Sequence, residues 1–434
     1  MEIPYSYLVL LLPVLYLLTK LTATKPKPPN LPPQPWKLPF IGHLHHLSGS
    51  LPHQALANLA QKLGPIIHLQ LGEIKAVVIS SPDLAKQIMK TDDLSFATRP
   101  KLLCAEIVGY NYIDIAFAPY GDYWRQMRKL SILELLSAKR VESFESVRDE
   151  ESWNVVEATM KESPRPVNVT EKIFTMMNVI SFRVSVGSRC KNQAKLLELI
   201  EQILSAAGGF DVADLYPSFK LLHLVSGLRK KLMKIHHDVD EMFEGIISDH
   251  LDRRAAGETD HGDLLDVMLR LKDEGGLQFP ITNDNIKAIL LETLRLHPPL
   301  PLLLPRECRN TCEVDGYDIP VNTKVIINCW KIGRDPKCWT DPESFIPERF
   351  SESSIDYKGT SFELIPFGAG RRMCPGMTLG MANVELPLAR LLYHFNWELP
   401  SGVKVEDLDR TETFGVSLKR RDSLVLVPSV YNID

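Results

Sequence analysis

The chain has 434 residues, 44% of them hydrophobic and 24% charged, with a formal net charge of -4 and a pI near 6.3. This suits one large core or two ordinary domains, and it offers no general attraction to phosphate backbones, so nucleic acid is excluded as a partner. Seven scattered cysteines without a CxxC pair exclude a secreted disulfide framework.

In chain order, the first element is IPYSYLVLLLPVLYLLTKLTA, Ile3 to Ala23, whose only formal charge is Lys20. As a helix it spans roughly 30 Å, enough for one membrane pass. A cleaved signal peptide is the competing reading. Glu2 stands where a basic n-region belongs, and no good A-x-A site follows. Residues 1–23 are therefore expected to be a transmembrane anchor. Lys20, Lys25 and Lys27 put its positive flank on the cytosolic side.

Residues 24–47 read as a Pro-rich hinge. KPKPPNLPPQPWKLPFIG, Lys25 to Gly42, holds seven prolines and is expected to be extended, and its apolar end suggests that it docks. Residues 48–434 form the body. IIHLQLGEIKAVVIS alternates around Gly72-Glu73 as a hairpin does. SPDLAKQIMK opens a helix with Ser81 as N-cap and Pro82 at its first position. From Tyr120 to about Asp273 the pattern is mainly helical, and after Pro298 short β-rich segments appear. The fold class expected is mainly α with a small β region.

The stretch IPFGAGRRMCPGMTLG, Ile365 to Gly380, sets Cys374 among glycines and arginines. A cysteine ligates or attacks as its thiolate, so its surroundings must favour that form. Pro375 suits a first helical turn, and Met377, Met381, Val384, Leu388, Leu391, Leu392 and Phe395 recur at helical spacing. Cys374 is thus expected near a helix N-terminus, which stabilises a negative sulfur. Gly368, Gly370 and Gly376 leave room for a flat object, and Arg372 can pair with a carboxylate. A flat, carboxylate-bearing group taking one thiolate describes haem better than zinc. The alternative metal-like spacing, Cys308-x3-Cys312, lacks a second ligand pair.

Phe367-Gly368-Ala369-Gly370-Arg371-Arg372-Met373-Cys374-Pro375-Gly376 resembles the haem-binding loop of the cytochrome P-450 superfamily, the haem-thiolate monooxygenases. The resemblance implies Cys374 as the metal ligand, with Phe367 and Gly376 beside the cofactor, haem b. Glu292-Thr293-Leu294-Arg295 is similar to the family's E-x-x-R, and Pro347-Glu348-Arg349-Phe350 to the segment that completes it. A Glu292–Arg295–Arg349 network behind the haem is implied. By the same resemblance Trp124 and Arg128 in YWRQMRK, together with Arg306 and Arg372, hold the propionates. The anchor, the hinge and LRLHPPLPLLLPREC narrow the likeness to plant microsomal enzymes that oxidise terpenoids. Gln34 departs from it, standing at a usual glycine.

One part of the pattern is missing. The family carries a long distal helix whose A-G-x-[DE]-T motif relays protons during oxygen activation, which is general acid work. Here ITNDNIKAIL runs straight into LETLRLHPP, so the fold expected is incomplete, with a deletion near 290/291. AAGETD, Ala255 to Asp260, has similar letters, but its charged flanks make Glu258 and Thr259 a surface coincidence. Losing even six buried aliphatic side chains, each contributing ~1.5–3 kcal/mol, would rival a typical total stability of ~5–15 kcal/mol.

The resemblance implies a haem-dependent monooxygenase in the endoplasmic reticulum membrane, single-pass, its body facing the cytosol. It would hydroxylate a small apolar plant metabolite with O2 and electrons from an NADPH-dependent reductase, which would dock near Arg125, Arg128 and Lys129. Its pocket would draw on Ala105 to Phe117, Leu300 to Leu304 and Phe414 to Ser417. The alternative is a truncated variant, catalytically impaired or inactive; a hydroperoxide isomerase ranks last.

Overall fold

Alternating apolar residues on both sides of Gly72 produce an antiparallel hairpin, β1 (Ile66–Leu71) and β2 (Ile74–Ile79), in which Leu71 faces Ile74. Gly72 sits at φ +61°, and a Cβ there would come within 2.6 Å of the Leu215 carbonyl oxygen, so the turn requires glycine. The computed structural model describes residues 29–186, 193–206, 211–219, 227–255, 298–350, 353–413 and 417–431.

The expected helix after the hairpin is present. It spans Pro82–Lys86, the Ser81 hydroxyl accepts from the Leu84 N–H, and one wide turn follows to Thr91. Next come α1 (Leu103–Ile107), α2 (Asp122–Leu130), α3 (Glu145–Glu162), the two-residue strand β3 (Val167–Asn168), α4 (Val169–Val186), α5 (Gln193–Ala206) and α6 (Leu228–Ala255). The β-rich segment after Pro298 supplies β4 (Arg306–Glu307), β5 (Cys312–Val314), β6 (Tyr317–Ile319) and β7 (Lys324–Ile327). The chain then forms α7 (Met377–His394), β8 (Phe395–Glu398), β9 (Glu412–Thr413), β10 (Lys419–Arg420) and β11 (Val425–Val430). The body is mainly helical with minor β structure, as the sequence implies.

Strand β7 joins the N-terminal hairpin to the C-terminal part by pairing parallel with β2 and antiparallel with β4, giving the order β1-β2-β7-β4. Under this sheet Ile66, Val77, Ile79, Ile88, Phe96, Val325 and Ile327 form one core that also includes Ile365 and Ala369. The cysteine-bearing loop is therefore rooted in the main core. Helices α3, α4 and α7 pack together through Val156 and Leu391, and through Met176, Ile180 and Leu379. Helices α5 and α6 close over α1 through Leu103, Leu199, Leu232 and Ile235.

Three local expectations change. Helix α7 starts at Met377 behind Gly376, so Pro375 precedes the first turn. On that helix Val384 and Leu392 are exposed rather than core. The hinge docks through backbone and polar groups: the Pro33 carbonyl accepts from His68 N–H, Gln34 Oε1 lies 3.4 Å from His68 Nδ1, and at the apolar end Gly42 bridges to Leu71 while the Phe40 carbonyl accepts from the Tyr216 hydroxyl. Trp36 and Phe40 face outward.

Residues 1–28 lie outside the described residues, and no described helix is long and apolar enough to cross a membrane. Glu292, Arg295, the 290/291 junction, Glu258 and Thr259 are also outside them.

Candidate functional site

The loop before α7 folds back on itself. Cys374 N–H donates to the Phe367 carbonyl at 2.9 Å, and a 3-10 turn spans Gly370–Arg372. Gly370, at φ +68°, would place a Cβ 1.9 Å from the Met89 carbonyl oxygen. Its lack of a side chain thus serves backbone packing, where the sequence suggested room for a ligand. Gly376 differs: a Cβ there would meet only Leu136 Cδ1 at 4.0 Å. Phe367 stacks at a tilt on Tyr357, with ring centres 5.8 Å apart.

Asp93 ties this loop to the rest of the molecule, although nothing in the sequence singled it out. Its Oδ1 accepts from Arg306 Nη1 at 2.7 Å, and its Oδ2 accepts from the Arg371 N–H at 2.8 Å. Arg306 Nη2 donates to the Ala369 carbonyl at 2.8 Å. Asp93 and Arg306 are both about 3% exposed at the side chain, so this is a buried pair, in which burial lowers the Arg306 guanidinium more than the charge and hydrogen bond of Asp93 raise it.

Arg372 points from the loop into a cluster of guanidiniums. Its Nε donates to the Ala97 carbonyl at 2.7 Å and its Nη2 to the Ala118 carbonyl, while its buried Nη1 has no partner among the described residues. The guanidinium lies 4.1 Å from the Trp124 ring centre, and Arg128 approaches the same ring at 5.4 Å. Trp124 spends its own N–H on the Ile115 carbonyl, which leaves its ring face as the part that touches the arginines. Arg99, a residue the sequence reading missed, donates to the carbonyls of Ala116, Leu304 and Pro305.

Burial and mutual repulsion act on this cluster. Burial, with Arg306 and Arg128 nearby, pushes Arg372 down to about 10, and burial with Arg306 and Arg372 also lowers Arg99. Burial likewise lowers Arg128, against the pull of Cys374 and Asp93. Four arginines (99, 128, 306 and 372) face two aspartates, Asp93 and Asp114. The positive excess together with the orphaned Nη1 fits a dianion. At Cys374 burial raises the thiol, while the Gly376 N–H and Arg128 pull it down; the net direction is upward. Cys374 is itself exposed, so the loop presents its sulfur to a ligand, and a bound metal ion would favour the thiolate.

Arg349 lies apart from this cluster, donating to the carbonyls of Thr340, Asp341 and Ser344. Of the stretches expected to line a pocket, Ala105 and Leu302 are buried, while Phe117, Leu303 and Leu304 are half-buried; Phe414 to Val416 lie outside the described residues. A separate cleft of about 530 Å³ between α3 and α4 shares no residue with the Cys374 loop or the arginines.

The Cytochrome P-450 family model matches residues 32–292 and 286–427. The chain belongs to the cytochrome P-450 family. Premnaspirodiene oxygenase of Hyoscyamus muticus is 46% identical, over 97% of this chain and 97% of its own. Germacrene A hydroxylase of Saussurea costus is 45% identical, over 99% of this chain and 100% of its own. Desmethyl-deoxy-podophyllotoxin synthase of Sinopodophyllum hexandrum is 45% identical, over 97% and 96%. A zebrafish cytochrome P-450 structure with progesterone superposes with a TM-score of 0.70 at 22% identity, covering 88% of this chain and 100% of that one. Membership in this P-450 family makes the chain an oxidoreductase by descent and implies a haem-thiolate cofactor with NADPH-derived electrons. The residues present fit that cofactor: Cys374, exposed on its loop, could supply the sulfur, and the guanidinium excess would suit two propionates.

Proposed function

We propose that this chain is a membrane-anchored haem-thiolate monooxygenase of the endoplasmic reticulum, oxidising a small apolar terpenoid-like substrate. The observation that carries this reading is the buried arginine cluster beside Cys374, whose unpartnered Arg372 Nη1 and positive excess suit a dicarboxylate cofactor. The relatives named as oxidising premnaspirodiene and germacrene A support the substrate class. When bound, haem supplies the oxygen-activating chemistry. The protein's residues hold it: Cys374 as ligand, Trp124, Arg128, Arg306 and Arg372 around the propionates, Phe367 and Gly376 beside it, and Glu292, Arg295 and Arg349 as a buttress. The catalytic body faces the cytosol, where a reductase docks near Arg125, Arg128 and Lys129.

A second reading, the same fold with impaired oxygen activation, also has support. The family model matches in two segments that meet at 286–292, and the alignment to premnaspirodiene oxygenase has 487 positions against 434 residues here. The relatives carry residues that this chain lacks.

A reduced carbon-monoxide difference spectrum of membranes holding the full chain tests the cofactor site. We expect a thiolate-type Soret band, lost in Cys374→Ala; its absence from the native chain would overturn the first reading. NADPH- and O2-dependent turnover of a sesquiterpene hydrocarbon then separates the two. A thiolate band without turnover selects the impaired variant.

A further inference from the structure

The Cys308-x3-Cys312 spacing has no role in the site above, and its geometry differs from that of the other described cysteines. Cys308 follows β4 and is fully buried, whereas Cys312 opens β5 and is half-buried. Their Sγ atoms are 3.8 Å apart. The backbone holds them there from both sides. Cys308 N–H donates to the Thr323 carbonyl, the Cys308 carbonyl accepts from the Asn322 N–H, and Cys312 pairs with Ile319 in the β5–β6 ladder. The Cys308 thiol also points at the Asn310 carbonyl, 2.9 Å away within the connecting turn. A disulfide bond is about 2 Å long, so the two sulfurs must approach by roughly a further 2 Å to bond.

No other described pair offers this. Cys104 and Cys329 are buried single thiols that desolvation pushes up to about 11 and about 12. Cys338 is exposed and solitary, and Cys374 belongs to the haem site. No group of three or more His, Cys, Asp or Glu suited to a metal occurs among the described residues.

We propose that Cys308 and Cys312 are a reversible modification site, a dithiol closed to a disulfide by a small hydroperoxide and reopened by a dithiol reductant. Only Cys312 reaches the surface, so its sulfur attacks the peroxide first, although contact with Cys308 and burial push the Cys312 thiol up while the same contact lowers Cys308. An S–O bond forms, the O–O bond breaks, and the leaving hydroxide takes the Cys312 proton as water (or alcohol). Cys308 sulfur then attacks Cys312 sulfur. The S–S bond forms, the S–O bond breaks, and the departing hydroxide leaves as water with the Cys308 proton. Two thiols lose two electrons, and the peroxide gains them. The site does not depend on the proposed function above.

The test uses the full chain in membranes, treated with hydrogen peroxide, acid-quenched, alkylated and digested with trypsin. Cleavage after Arg309 places the two thiols on different peptides, so the disulfide reads as a linked pair. We expect that pair to form while Cys104 and Cys329 stay alkylatable, and dithiothreitol to release it. Cys312→Ser removes a half-buried thiol rather than a core one. In that variant the linked pair should vanish while Cys308 remains alkylatable after unfolding. Oxidation of Cys312 alone to sulfinic acid or a mixed disulfide in the native chain, with Cys308 still free, would overturn the proposal. So would a linked pair that persists in the variant, because its partner would then be another cysteine.

Discussion

The loop carrying Cys374 and the loop from Ala105 to Phe117 both attach to the arginine cluster, but they are held differently. The first is fastened by buried groups: Asp93 to Arg306, Ala369 to Arg306, Gly370 against Met89. The second is fastened at its end, where Arg99 and Trp124 bind the carbonyls of Ala116 and Ile115, and Arg372 that of Ala118 just beyond. Its tip is strained instead. Tyr110, Asn111 and Tyr112 all have positive φ, and the Tyr110 hydroxyl reaches Asp240 through an exposed hydrogen bond. In the proposed enzyme the invariable chemistry would sit on the buried fastening and substrate choice on the strained tip.

The sharpest test of that difference is Asp93→Ala. It leaves Arg306 buried without its partner, so a loss of ~3–5 kcal/mol is expected, read as a lower urea midpoint. A loss below ~1 kcal/mol would mean that Asp93 is not the anchor. Acid should weaken the β1 strand next. Burial, with His43 and Lys75 nearby, lowers His68 in β1 to about 4 from 6.5. Between those values only the unfolded chain is protonated, so stability is full above pH 6.5 and falls by ~3 kcal/mol as pH drops to 4. His68→Gln should flatten that dependence; an unchanged slope would place its origin elsewhere.

Gly370→Ala comes third. A left-handed alanine is strained by ~1–3 kcal/mol before the Met89 clash is relieved, and a reduced haem signal per folded chain should accompany the loss. Smallest is Tyr110→Phe, expected to shift stability by less than ~1 kcal/mol with no change in the carbon-monoxide spectrum, while altering substrate dissociation. A large stability loss there would erase the contrast between the two loops.

Much of this was legible from local pattern. The β1–β2 hairpin follows from alternation and its Gly72-Glu73 break, and Cys374 from a ten-residue motif. Asp93 and Arg99 were not, because their partners lie far along the chain: Arg371 is 278 residues from Asp93, and Leu304 is 205 from Arg99. Nothing in TDDLSFATRP marks either residue as buried. Phe40, at the apolar end of the hinge, misled in the opposite sense, since an apolar composition does not say which surface a side chain will meet. Pro375 fits a first turn by type, yet the helix begins two residues later.

The parallel pairing of β2 with β7 has a consequence for the newborn chain. Ile79 must wait for Ile327, about 250 residues later, and at ribosomal speeds of ~5–20 residues per second that delay is roughly 10–50 s. Throughout it the edge of β2 is bare and apolar, an invitation to wrong partners. The arginine cluster is split in the same way, with Arg99 and Arg128 made early and Arg306 and Arg372 late. On the proposed function, a cofactor held by Arg128, Arg306, Arg372 and Cys374 can be received only when translation is nearly complete, so the yield of loaded protein should depend on how well chaperones shield that one edge.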